Sequence, residues 1–220
     1  MGLPVHQLSS SIDHRLYYFN PDEKQKQIAF IARKNEHTLK LQSLLASRNP
    51  DYVNKIKWVG MDRLSQQDYA SLIRQSALFL STSMAEGFPT SCLEAMAAGA
   101  IVCGYDGVGS RDMLRSDGKS PNSLIASNGD YVALAYKMAP LLEDLIHDRM
   151  DRWDPVISSA RRTADAYTAE KEASSLIAFW KPIIYGQLQR PFVGEVKYRD
   201  ISNPLVKNGQ PTDECPLPGY

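Results

Sequence analysis

The chain has 220 residues, 43% hydrophobic and 23% charged, a globular composition that excludes disordered and fibrous classes and fits one large domain with extensions. Lysine plus arginine and aspartate plus glutamate both number 25, so there is no basic field of the kind that draws nucleic acid. No apolar run reaches the ~18–20 residues that span a bilayer, and the opening "MGLPVHQLSSSID" lacks signal-peptide regions, so a cytoplasmic location is expected, with peripheral membrane association left open.

Residues 1–27 form a leading segment, and from residue 28 short apolar runs alternate with polar turns and amphipathic stretches, the pattern of βαβ units on a parallel sheet. Strands are predicted at 27–32 ("QIAFIA"), 55–60 ("KIKWVG"), 77–82 ("ALFLST"), 100–105 ("AIVCGY") and, more weakly, 122–127 ("NSLIAS"). Helices are predicted at 36–47, 65–75, 89–98 and 109–115. Past residue 128 three long helical patterns follow, the first with Asn128 or Asp130 as its N-cap. The expected core domain is therefore α/β over residues 28–186. Residues 187–220 carry five of the 13 prolines and no periodicity, and read as an irregular tail.

The three cysteines form neither a disulfide framework nor a zinc pattern, and Cys92 and Cys103 lie in apolar contexts. His6, His14, His37 and His147 have no metal-ligand spacing, so no metal or cofactor is expected.

In an open parallel sheet, ligands collect beyond the carboxyl ends of the strands, where loops lead into helix N-termini. Four loops fall there: "ARKNEH", "GMDRLS", "SMAEGFPT" and "YDGVGSRD". In the third, Pro89 suits the first helical position, while Phe88 before it has no oxygen to cap the helix. Unless Thr90 or Ser91 caps instead, the amides of Thr90, Ser91 and Cys92 are left for water or an anion. Glu94, one turn above Thr90 on the same face, and Glu86, in the loop, could each accept hydrogen bonds from a vicinal diol. Both could equally be solvated surface carboxylates. Arg33 and Lys34 follow the first strand and could neutralise a diphosphate, or could be solubilising residues at a strand end. "DGVGSRD" lacks the G-x-G-x-x-G spacing of dinucleotide sites and reads as a second ligand-facing turn before a short helix.

The stretch "EGFPTSCLEAMAAG" resembles the donor-site signature of retaining glycosyltransferases of the GT-B fold, E-G-F-x-x-x-x-L-E-A-M-A-x-G. Glu86, Gly87, Phe88, Leu93, Glu94, Ala95, Met96, Ala97 and Gly99 match it. "SSSIDHRLYYFNPDEK" is similar to that family's interdomain passage, and the resemblance covers roughly residues 8–180. It implies one of two Rossmann-like halves, the nucleotide-sugar-binding one, with residues 1–27 as an interdomain lead-in and the acceptor-binding half absent from this chain. By the same resemblance Glu94 binds the ribose, Glu86 the transferred sugar, and the Gly87, Phe88, Pro89 and Thr90 backbone the sugar and phosphates, with Leu93 part of the signature. Arg33 and Lys34 take the diphosphate, and Gly60 and Met61 fall at the base-receiving loop. One departure is that Ala32 stands where the family carries glycine, with Lys34 adjacent to Arg33. The implied activity is sugar transfer from a nucleotide-diphosphate sugar with retention of configuration and without a metal, as in polysaccharide biosynthesis. The alternative is a non-catalytic nucleotide-sugar-binding or regulatory module. An NAD-binding domain is disfavoured, because the loop after the first strand is basic and contains no glycine.

Overall fold

A computed structural model of the protein describes residues 8–34, 36–186, 206–207 and 210–211. Five strands, β1 (Gln25–Ile31), β2 (Lys57–Met61), β3 (Ser76–Ser81), β4 (Ile101–Tyr105) and β5 (Ser123–Ala126), form one sheet in the order β2-β1-β3-β4-β5. Every neighbouring pair is parallel; Ala29, for example, lies opposite Val59 on one side and Phe79 on the other. The five predicted strands are all present, with ends displaced by two residues at most.

Among the described residues there are seven α-helices: α1 (Glu36–Arg48), α2 (Asp51–Asn54), α3 (Gln66–Gln75), α4 (Thr90–Ala97), α5 (Tyr131–Ile146), α6 (Asp154–Ala164) and α7 (Ala169–Ile184). The alternation of side chains along each strand divides the core in two. Ile28, Leu78, Leu80 and Ile101 face one layer with Leu41 and Leu45 of α1 and Leu134 and Met138 of α5. Ala29, Phe79 and Val102 face the other with Ile73 of α3, Met96 of α4 and Ala160 of α6. Central strands covered on both faces must be apolar throughout, and all five residues of β4 are buried.

Local chemistry sets the helix limits. Ser65 caps α3 by accepting from the Asp68 amide at 3.1 Å, and donates its hydroxyl to the Asp68 carboxylate at 2.7 Å. Asp130, not Asn128, caps α5, accepting from Ala133 at 2.8 Å. At the end of α4, Gly99 (φ 73°) closes a Schellman motif: its amide donates to Met96 O at 3.0 Å and that of Ala100 to Ala95 O at 2.8 Å.

The helix expected at 109–115 is absent; hydrogen-bonded turns take its place. The amides of Met113 and Leu114 both donate to Ser110 O, at 3.0 and 2.8 Å, and that of Arg115 turns to the Asn122 side chain at 2.7 Å. The left-handed Gly107 (φ 55°) and Val108 (φ 74°) precede this turn, and the Asn122 bond ends it before a second helical turn can form.

By internal contacts the chain divides into two units, Met1–Leu176 and Ile177–Tyr220. The first holds the sheet. The second includes the end of α7, where the Phe179 and Trp180 rings meet edge to face at 5.1 Å, and the antiparallel pair β6 (Val206–Lys207) and β7 (Gln210–Pro211). The rest of the tail from residue 187 lies outside the described residues. Among the described residues no helix is long and apolar enough to cross a membrane.

Candidate functional site

β1 and β3 are adjacent, yet the connection after β1 leads to α1 on one face and that after β3 to α4 on the other. Such a switch in winding parts the two loops at the carboxyl ends of the strands and leaves a crevice. A cleft of about 560 Å³ opens there. Ile31 and Arg33 line it from β1 and the turn that follows, Met61 to Leu64 from the end of β2, and Glu86, Phe88 and Pro89 from the loop after β3. Thr90, Ser91 and Glu94 of α4, Gln66 and Tyr69 of α3 and Tyr17 of the leading segment complete it.

Glu94 is a half-buried carboxylate in the cleft. Burial pushes its pKa up, while hydrogen bonds from the Tyr69 and Tyr17 hydroxyls favour the ionised form. Burial also raises both tyrosine pKa values, with the Glu94 charge adding to it, so the phenols stay protonated as donors. Their rings meet edge to face at 6.3 Å. A carboxylate offers about four acceptor positions, so two hydroxyl donors leave the remainder for a ligand.

Glu86 is held through its main chain: its amide donates to Gly107 O at 2.9 Å and its carbonyl accepts from the Gly109 amide at 3.0 Å. Its loop therefore rests on the turn that followed from "DGVGSRD". That turn supports the cleft wall and is not itself among the residues lining the cleft.

The N-terminus of α4 differs from the sequence expectation. Pro89 occupies the cap position (φ −82°, ψ 82°), one residue before the helix, and no side chain caps the end. The Thr90 amide donates to Phe88 O at 3.1 Å and that of Cys92 to Pro89 O at 3.0 Å, so two of the three amides expected to meet an anion are engaged by backbone.

Of the residues singled out from sequence, the cleft gathers Arg33, Met61, Glu86, Phe88, Pro89, Thr90, Ser91 and Glu94. Leu93 is fully buried in the layer beneath, so its place in the signature is a packing one. Gly60 lies on β2, where an added Cβ would stand 3.3 Å from Ala32 and the Phe30 ring. Gly87 is exposed, with its carbonyl against Gly109. The Lys34 side chain lies outside the described residues. Tyr17, Tyr69 and Arg63 join the site unannounced, since Tyr17 and Tyr69 stand far apart in sequence and only the fold brings their hydroxyls to one carboxylate. Among the described residues no group of three His, Cys, Asp or Glu side chains could hold a metal ion.

The sequence pattern of the family described as Glycosyl transferases group 1 matches residues 21–144, more than half of the chain. An alpha-1,6-glucosyltransferase of Actinobacillus pleuropneumoniae serotype 7 (strain AP76) is 27% identical over 139 residues, covering 61% of this chain and 41% of that protein. Sucrose-phosphate synthase from Thermosynechococcus elongatus superposes with a TM-score of 0.61 at 13% identity, covering 80% of this chain and 52% of that one. HepE from Anabaena, solved in complex with UDP-glucose, gives 0.55 at 14% identity over 78% of this chain and 56% of its own. The chain thus spans about half the length of the relatives it matches. With its parallel sheet, its cleft at the winding switch and the match over residues 21–144, the chain belongs to the group 1 glycosyltransferases, whose fold is GT-B.

Proposed function

We propose that this chain is the donor-binding half of a retaining glycosyltransferase that takes its sugar from a nucleoside-diphosphate sugar. The observation that carries the proposal is that Arg33, Glu86 and Glu94, from three separate stretches of sequence, line one cleft at the winding switch. The UDP-glucose complex of HepE, a structural neighbour, supports the choice of ligand class.

In this reading the ribose diol donates to the acceptor positions of Glu94 that Tyr17 and Tyr69 leave open, and the sugar hydroxyls donate to Glu86. Arg33 meets the diphosphate with a planar fork of donors, and Lys34 adds a second positive charge. As the bond between the anomeric carbon and the diphosphate breaks, negative charge accumulates on the departing oxygen. Cations fixed there stabilise the transition state by several kcal/mol without a metal. The acceptor hydroxyl enters from a second half that closes the other side of the cleft.

Calorimetry of the 220-residue chain with UDP, GDP and ADP tests the reading. Binding of at least one is expected, and silence with all three overturns it. Retention is checked on the product of the whole enzyme: an anomeric proton coupling that differs in configuration from the donor sinks that part. The alternative reading is a donor-site module that binds nucleotide sugar without catalysing transfer. Transfer that appears when an acceptor-binding half is supplied, and disappears in Arg33→Ala, separates the two.

A further inference from the structure

The loop bearing Glu86 is clasped by two other segments, and one side chain ties all three together. Asn128 stands in the turn between β5 and α5; its Oδ1 accepts from the Gly107 amide at 3.1 Å and its Nδ2 donates to Met84 O at 2.9 Å. Gly107 O in turn accepts the Glu86 amide at 2.9 Å, and the Gly109 amide donates to Glu86 O at 3.0 Å, in a parallel bridge between Glu86 and Val108. Both main-chain groups of Glu86 are therefore set by the Gly107–Gly109 turn, and Asn128 pins that turn to Met84, two residues ahead of Glu86.

The fit is close. A Cβ at Gly109 would lie 1.9 Å from Gly87 O, so only glycine lets the two backbones meet. Val108 holds φ 74°, a region a β-branched residue enters only where its surroundings impose it. The Asp106 carboxylate accepts from the Val108 amide at 3.3 Å and from Arg111 Nε at 2.8 Å, bracing the turn from its other end.

Resting on the donor-site reading above, we propose that Asn128 is a positioning residue for Glu86, governing the sugar end of the site and leaving the nucleotide end untouched. Arg33 and Glu94 are placed by β1 and α4, with Tyr17 and Tyr69 on Glu94, and none of these belongs to the clasp. The side-chain amide suits the chemistry of the position. A backbone N–H only donates and a carbonyl only accepts, so the bridging side chain must offer one acceptor and one donor. Aspartate would serve Gly107 but set a carboxylate against Met84 O.

The test compares the full chain with Asn128→Ala and Asn128→Asp, titrated with UDP and UDP-glucose, and with the guanosine and adenosine pairs where those bind instead. Asn128 is exposed, so neither change opens a cavity. The sugar nucleotide should bind about 5- to 10-fold more weakly in both variants, the effect of one or two lost hydrogen bonds, with the free diphosphate within about twofold of the unaltered chain. Amide hydrogen exchange, which needs no ligand, should speed up over residues 84–88. Equal losses for both ligands, no loss, or unchanged exchange over 84–88 overturns the role of Asn128. Failure of every nucleotide to bind the unaltered chain sinks the donor-site reading and this inference with it.

Discussion

Glu94 illustrates how opposing effects on one side chain are weighed. Burial favours its neutral form, and the Tyr69 and Tyr17 hydroxyls favour the ionised one; burial prevails, so its pKa stands above the ordinary 4.5. The folded chain then holds the Glu94 proton more firmly than the unfolded chain does. Its contribution to stability falls as pH rises from about 4.5 through the raised folded value, and stays lower beyond. Glu94→Gln should therefore be relatively more stable near pH 7 than near pH 4, read as the difference in Tm from the unaltered chain. The same variant should weaken nucleoside-diphosphate binding about 10- to 100-fold by calorimetry, since a diol loses its charged acceptor. In the unaltered chain affinity should also drop as pH falls through the raised pKa. Intact binding by the variant at pH 7 would remove Glu94 from the ribose. The carboxylates were legible in the sequence because their spacing around a Gly-Phe-Pro turn is local. The tyrosines were not, because nothing in the leading segment or in α3 tells which carboxylate their hydroxyls will meet.

Among the elements, the stretch from Glu86 to Gly99 shows which signals travel well from sequence. Gly99 ends α4 where a left-handed residue is required, and its neighbour is the Phe19 ring of the leading segment, 2.3 Å from where a Cβ would sit. Arg161 of α6 covers Phe19, at 4.9 Å from the ring centre, so the ring has little room to yield. Gly99→Ala should cost about 2 kcal/mol or more of stability in denaturant titration, combining left-handed strain with displacement of Phe19. An unchanged midpoint would mean that the leading segment is loosely held. The turn after β4 shows the opposite case. A helix is expected at 109–115, but the left-handed Val108 just before it and the Asn122 side chain just after it redirect the chain, and both lie outside the window in which that helical pattern is read.

At the scale of the whole molecule, the sheet is sandwiched by two apolar layers, and polar groups fasten the helices at its margins. Asp144 on α5 is only 4% exposed; it accepts from Arg149 Nε at 2.9 Å, an Arg152 guanidinium nitrogen at 3.1 Å and Trp153 Nε1 at 3.1 Å. Burial pushes its pKa up, but the donors from Arg149 and Trp153 and the two positive charges outweigh this and hold it below the ordinary 3.8. Its stabilisation is therefore present above about pH 4 and lost as pH falls below 3.8 toward the depressed folded value. Asp144→Asn should lower Tm at pH 7 and flatten the acid limb of the Tm-against-pH curve; an unaltered acid limb would show that other carboxylates control it.

The sequence by itself determined the α/β class, the five strands and most helices, and the stretch that faces the cleft, because apolar periodicity, caps and the spacing of Glu86 and Glu94 are properties of neighbours along the chain. The strand order, the crevice between β1 and β3, the Tyr17 and Tyr69 hydroxyls on Glu94 and the Asn128 clasp under Glu86 were decided only by the tertiary structure. Each of these joins residues from separate segments, whose meeting depends on how the whole sheet is wound.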